Sequence, residues 1–136
     1  MTFTDSVLGL VRAPIPAVTV FDSGAPDENT EPDQVPERYV VFWPDIGTPQ
    51  GDSVCGEFTG GLFRWQLNFV APDRGMAEWM SQKVRDSLLG PRPFIAGWSC
   101  GQIQLPLTLP ARRDEQVLSR RVVVLMDRYE LLAEQV

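Results

Sequence analysis

The sequence predicts a single α+β domain: a mainly antiparallel β-sheet with one principal helix packed on a face and a short N-terminal helix. Three observations lead there. In residues 62–70, Phe63, Trp65, Leu67 and Phe69 alternate with Arg64, Gln66 and Asn68, the period of a strand with one buried face. From Arg74 to Leu89, Met76, Met80, Val84 and Leu88 recur every four residues with Ala77 beside them, the spacing of a helix with one apolar stripe. The remaining apolar runs are short, β-rich and punctuated by Gly and Pro, and a helix laid on an antiparallel sheet is the economical way to bury them. A chain of 136 residues, 43% hydrophobic and 22% charged, suits one domain spanning 1–136.

Each element follows in order. Thr4-Asp5-Ser6 offers N-cap chemistry ahead of Val7, Leu8, Leu10 and Val11, so a short helix is expected over about 5–12, ended by Pro14 and Pro16. Residues 17–21 read as a short strand. Residues 22–37 are mostly Asp, Glu, Pro, Gly, Ser, Asn and Thr, an acidic, Pro-rich loop with too few apolar side chains to fold alone. Residues 38–43 read as a strand stopped by Pro44, and 45–55 as a loop. After the strand 62–70, Asp73 is placed to cap the main helix, and Gly90-Pro91 to end it. Met80 and Val84 are expected to pack on Phe63, Trp65, Leu67 and Phe69. Pro91, Pro93 and Gly97 mark a linker, 98–105 and 119–131 two further strands, and 106–118 a Pro-interrupted segment between them.

Composition narrows the chemistry. Histidine is absent, which excludes Ser-His-Asp and Cys-His catalysis, histidine general bases and His-containing metal sites. The expectation is a non-enzyme with no metal and no cofactor. Gly60-Gly61 lacks both the G-K-[ST] and the following helix of a phosphate loop. Asp27, Glu28, Glu31 and Asp33 do not have EF-hand spacing. Asp73, Glu78 and Asp86 fit a helix cap and a solvated face better than an acid–base pair. Cys55 and Cys100, far apart and outside any C-x-x-C pair, read as reduced, packed side chains, with a disulfide between them as the alternative. No run suggests a membrane span, and the first residues lack the pattern of a secretory signal.

Charge is uneven. The net −6 lies wholly in residues 1–50, and between Asp22 and Glu37 six acids occur without a base. Such a chain does not attract nucleic acid by general electrostatics. Arg112, Arg113, Arg120 and Arg121 form the one local basic cluster in the sequence, interleaved with Asp114 and Glu115. The four tryptophans, Trp43, Trp65, Trp79 and Trp98, read as core and interface material, with Trp79 off the centre of the helix stripe.

The layout resembles the tail terminator proteins of siphophages, particularly those infecting actinobacteria. The similar features are the short N-terminal helix, a strand ending in Phe21-Asp22, the acidic loop, and Pro36-Glu37-Arg38-Tyr39-Val40-Val41 as an entry strand. The best match is the helix running from Arg74-Gly75-Met76-Ala77 to Val84-Arg85-Asp86-Ser87-Leu88-Leu89-Gly90, followed by Asp127-Arg128-Tyr129-Glu130-Leu131 in the last strand. The resemblance covers about residues 7–132 and implies a homohexameric ring at the head-proximal end of the tail tube, which stops tube polymerisation and joins the tail to the head connector. Its implied partners are copies of itself, the major tail tube protein and a head–tail connector or closure protein. It also implies no membrane partner, and genomic DNA only passing through the lumen. The implied location is the virion neck, with the host cytoplasm during assembly. A ring needs two different surfaces, and Asp27 and Glu28 against Arg112, Arg113, Arg120 and Arg121 are the candidate interface residues, facing each other across subunits or facing a neck protein. Two unrelated solvated loops are the plain alternative. A head–tail closure or minor tail protein, and a small cytosolic ligand-binding domain using its tryptophans, are the other functional readings.

Overall fold

A computed structural model describes the backbone of residues 2–26, 35–49, 60–117 and 120–136, and the side chains of all these except 46–49, 114–117 and 120. Two helices, α1 (Phe3–Arg12) and α2 (Arg74–Leu88), pack on a mostly antiparallel sheet of six strands: β1 (Thr19–Asp22), β2 (Tyr39–Pro49), β3 (Gly60–Ala71), β4 (Trp98–Cys100), β5 (Gln104–Val117) and β6 (Arg120–Gln135). The α+β class is as the sequence predicts.

The strands lie in the order β1-β2-β3-β6, with β1 parallel to β2 and every other pair antiparallel. β4 and β5 share the far side of β6: β4 pairs with its C-terminal end, β5 with the rest. α1 begins two residues earlier than the expected start, because Thr2 is the cap. The Thr2 hydroxyl accepts from the Asp5 amide at 3.1 Å and the Asp5 carboxylate accepts from the Thr2 amide at 3.0 Å, a reciprocal capping box. Hydrogen bonding from Thr2, its amide first and then its hydroxyl, holds the Asp5 carboxyl below its ordinary range. α2 starts as expected, with Asp73 accepting from the Met76 amide at 2.8 Å. It ends ahead of Gly90, whose φ of 120° favours a residue without Cβ.

The core lies between the helices and one face of the sheet. Met80 and Val84 of α2 and Phe63, Trp65, Leu67 and Phe69 of β3 are all buried in one cluster with Val7, Leu8 and Val11 of α1. Arg64, Gln66 and Asn68 lie on the opposite, open face. A smaller cluster of Val35, Tyr39, Val41, Val70 and Val122 covers one end of that open face.

Several strand boundaries differ from expectation, and prolines explain two of the differences. β2 does not stop at Pro44. The Phe42 carbonyl accepts from Ser23 on the β1 side, so by alternation the Pro44 nitrogen also turns to that side, beyond the end of β1, and no ladder bond is lost. Residues 106–117 are part of a strand, not a break between strands. β5 is an edge strand with register shifts between Gln104 and Leu107 and between Leu109 and Arg112, which absorb Pro106 and Pro110. The expected strand 98–105 is accordingly split in two, and β6 continues to Gln135. Gly60 and Gly61 belong to β3, where a Cβ on Gly60 would meet the Ala133 carbonyl at 2.8 Å; close strand approach explains that glycine.

Candidate functional site

Of the expected interface residues, Arg112, Arg113 and Arg121 have described side chains, and all three are exposed. Asp27 and Glu28 lie outside the described residues, as do Glu31, Asp33 and Cys55. Arg120 begins β6, and its side chain is likewise outside the described set. β3 ends at Ala71 opposite Val123, so residues 120–122 of β6 pair only with β5, and together they make a two-stranded arm beyond the sheet. Arg112 and Arg113 are exposed at the root of that arm, opposite Val124 and Val123 respectively, the last residues of β6 that also pair with β3. Cross-strand partners share a face, so Arg112 belongs to the open side and Arg113 to the helix side. Strand alternation splits what the sequence presents as a cluster.

The acidic segment enters from β1 at Asp22 and returns at Val35. Val35 shares the small open-face cluster with Val122, at the root of the arm. One end of the acidic segment is thereby anchored to the open face of its own chain.

The most strongly built polar group in the molecule is one the sequence reading passed over. Asp127 of β6 is fully buried and accepts four hydrogen bonds. Arg85 donates through Nε at 3.0 Å and Nη2 at 2.7 Å, Ser81 through its hydroxyl at 2.7 Å, and Thr108 of β5 at 2.6 Å. The Asp127 carboxylate raises the Arg85 pKa further above its ordinary value. With a guanidinium across it and no free acceptor position, Asp127 is unsuited to take a proton from a substrate; it ties α2, β5 and β6 together. Tyr129, two residues on, has a buried hydroxyl without a partner among the described residues, and burial raises its pKa. The signal was in the sequence: Asp127 has the parity of Val123, Leu125, Tyr129 and Leu131, so a carboxylate on the core face needed partners.

Two further surfaces stand out. A shallow depression of about 600 Å³ crosses the open face, walled by Trp43, Pro106 and Leu107 and floored by Arg64, Arg128 and Glu130. Its floor is internally satisfied: Arg64 lies 3.8 Å from Glu130, and Arg128 donates to Gln66 at 3.2 Å. On the outer side of α2, Trp79 is 43% exposed, with the Arg38 guanidinium 5.5 Å and the Lys83 ammonium 5.8 Å from its ring. Cys100 is free and buried, and burial raises its thiol pKa. Among the described residues no group of His, Cys, Asp and Glu side chains could hold a metal ion. No helix among them is long and apolar enough to cross a membrane.

In comparison with known proteins, no family model and no curated protein matches the chain.

Proposed function

We propose that this chain is a structural virion protein of the tail terminator kind, forming a ring at the head-proximal end of a phage tail tube. In that role it stops tube growth, contacts the major tail tube protein on one side and the head connector on the other, and resides in the virion neck. The observation that supports it best is the pair of unlike sheet edges. β1 lies at one edge and leads into the acidic segment, while β5 lies at the other and carries the basic arm. A closed ring is made by repeating one heterologous contact between two different surfaces of the same subunit.

Neither edge invites strand addition. Arg12 donates to the Val20 carbonyl at 3.1 Å on the open side of β1, and β5 carries two prolines and its register shifts. Such edges join through side chains and not through a continued ladder. With Arg112 and Arg113 on opposite sides of the arm, we assign the arm to a neck partner rather than to a single acidic groove. Native mass measurement and negative-stain imaging of the purified chain test the reading: six-membered rings of the 15.2 kDa subunit are expected, and monomers at every concentration would sink it.

One feature favours a second reading, a small ligand-binding domain: the open-face depression with half-exposed Trp43 at its wall. A small-molecule thermal-shift screen separates the two, since saturable stabilisation lost in Trp43→Ala supports the domain and not the ring.

A further inference from the structure

On the exposed side of α2, the acids are answered locally and two cations are not. Glu78 lies 3.5 Å from Arg74, and Asp86 accepts from Gln82 at 2.7 Å. Among the described residues, Arg38 and Lys83 have no carboxylate partner. What they have is the Trp79 indole between them, and Arg38 is steadied by a contact of 3.0 Å from Nη1 to the Met76 sulfur. The result is a compact patch with two unneutralised cations around a half-exposed tryptophan, on a chain whose net charge is −6. Exposed Trp and Arg are the residues that most often anchor protein interfaces, and cations held at an indole face are already partly ordered before a partner arrives.

We infer that the Trp79–Arg38–Lys83 face of α2 is the docking surface for the acidic segment, residues 22–37, of a second copy of this chain. Charge is the first reason: that segment carries six carboxylates and no base, and no other stretch of the sequence matches it. The second is placement. Val35 fastens the segment's end to the open face of its own sheet, while α2 lies in the layer covering the opposite face. The anchored Val35 end and the α2 patch thus lie on opposite faces of the sheet, an arrangement that suits contact with a neighbour's segment. The third is compactness, which the arm lacks because its arginines divide between two sides. This inference rests on the self-assembly in the proposed function and names the contact that makes it directional.

The test is a fluorescein-labelled peptide of residues 22–37 titrated into the full chain and followed by anisotropy, beside a control peptide with every acid changed to its amide. Saturable binding is expected for the acidic peptide only, weakening as salt rises. Trp79→Ala and Lys83→Glu should each raise the Kd about tenfold or more, with Lys83→Arg close to wild type. Trp79 and Lys83 are exposed, so circular-dichroism melts of these variants should match wild type and exclude misfolding. Absence of binding overturns the inference, as does equal binding by both peptides or unchanged affinity in Trp79→Ala and Lys83→Glu. Loss of binding only in Arg112→Glu with Arg113→Glu overturns it in favour of the arm. Rings without peptide binding sink this contact and leave the terminator reading; peptide binding without rings does the reverse.

Discussion

On β3, Phe63, Trp65, Leu67 and Phe69 face two helices, while their immediate neighbours Arg64, Gln66 and Asn68 face outward. The same backbone thus supports two surfaces with different physics. The helix face is sealed, apolar and tied at one point by a buried charge. The open face is divided, with a small apolar cluster at one end and a ladder of paired polar side chains at the other. Burial, more than strand pairing, decides which residues the fold depends on.

The largest effect should come from the sealed face. Asp127→Ala leaves Arg85 without its carboxylate and unties α2 from β5, and a loss of about 3 kcal/mol is expected from the cost of breaking such a pair. Met80→Asp, which places a charge in the fully buried cluster, should cost several kcal/mol, on the order of other unpaired core charges. Urea denaturation measures both, and wild-type midpoints would mean the helix face is not the one that holds the fold. On the open face, Val41→Asp strikes the small cluster and should cost about 2 kcal/mol, less than Met80→Asp because fewer apolar neighbours surround it.

Tyr129→Phe is a finer probe, and its expected sign is opposite. Removing a buried hydroxyl that has no hydrogen-bond partner among the described residues should raise stability by about 1 kcal/mol. The pH dependence has a definite direction as well. The folded-state pKa of Tyr129 is raised, so its contribution is intact below the unfolded tyrosine value and declines as pH climbs past about 10. Melting temperatures from pH 8 to 11 should therefore fall less steeply for the Phe variant. The smallest effect belongs to the polar ladder. Arg64→Ala removes a 3.8 Å ion pair at the solvent boundary, and a change within about 0.5 kcal/mol is expected, readable in the same urea curves.

What the sequence made legible follows the same division. Regular periods announced β3 and α2, because both bury a continuous stripe, and the packing of Met80 and Val84 over Phe63 to Phe69 followed from them. Pro44 reads as a stop and Pro106 and Pro110 as interruptions, yet all three lie within strands, because a proline's effect depends on whether its nitrogen faces a neighbouring strand, and that is a property of the sheet order. The Asp127 network needed three distant segments brought together, although the lone acid on a core-parity position was visible. Arg112 and Arg113, adjacent in sequence, looked like one patch until strand alternation set them on opposite sides. The Arg38–Trp79–Lys83 patch joins residues some forty positions apart. Only the off-stripe placement of Trp79 pointed to it.

The blunted edges have a consequence for the protein before it meets any partner. In a crowded solution an open sheet edge is a template for strand-by-strand growth into fibres. Here one edge has a guanidinium on its exposed carbonyl, and the other lacks amide donors at Pro106 and Pro110. Both edges are thereby poorly suited to strand-by-strand addition, which lowers the tendency of the folded chain to seed fibres.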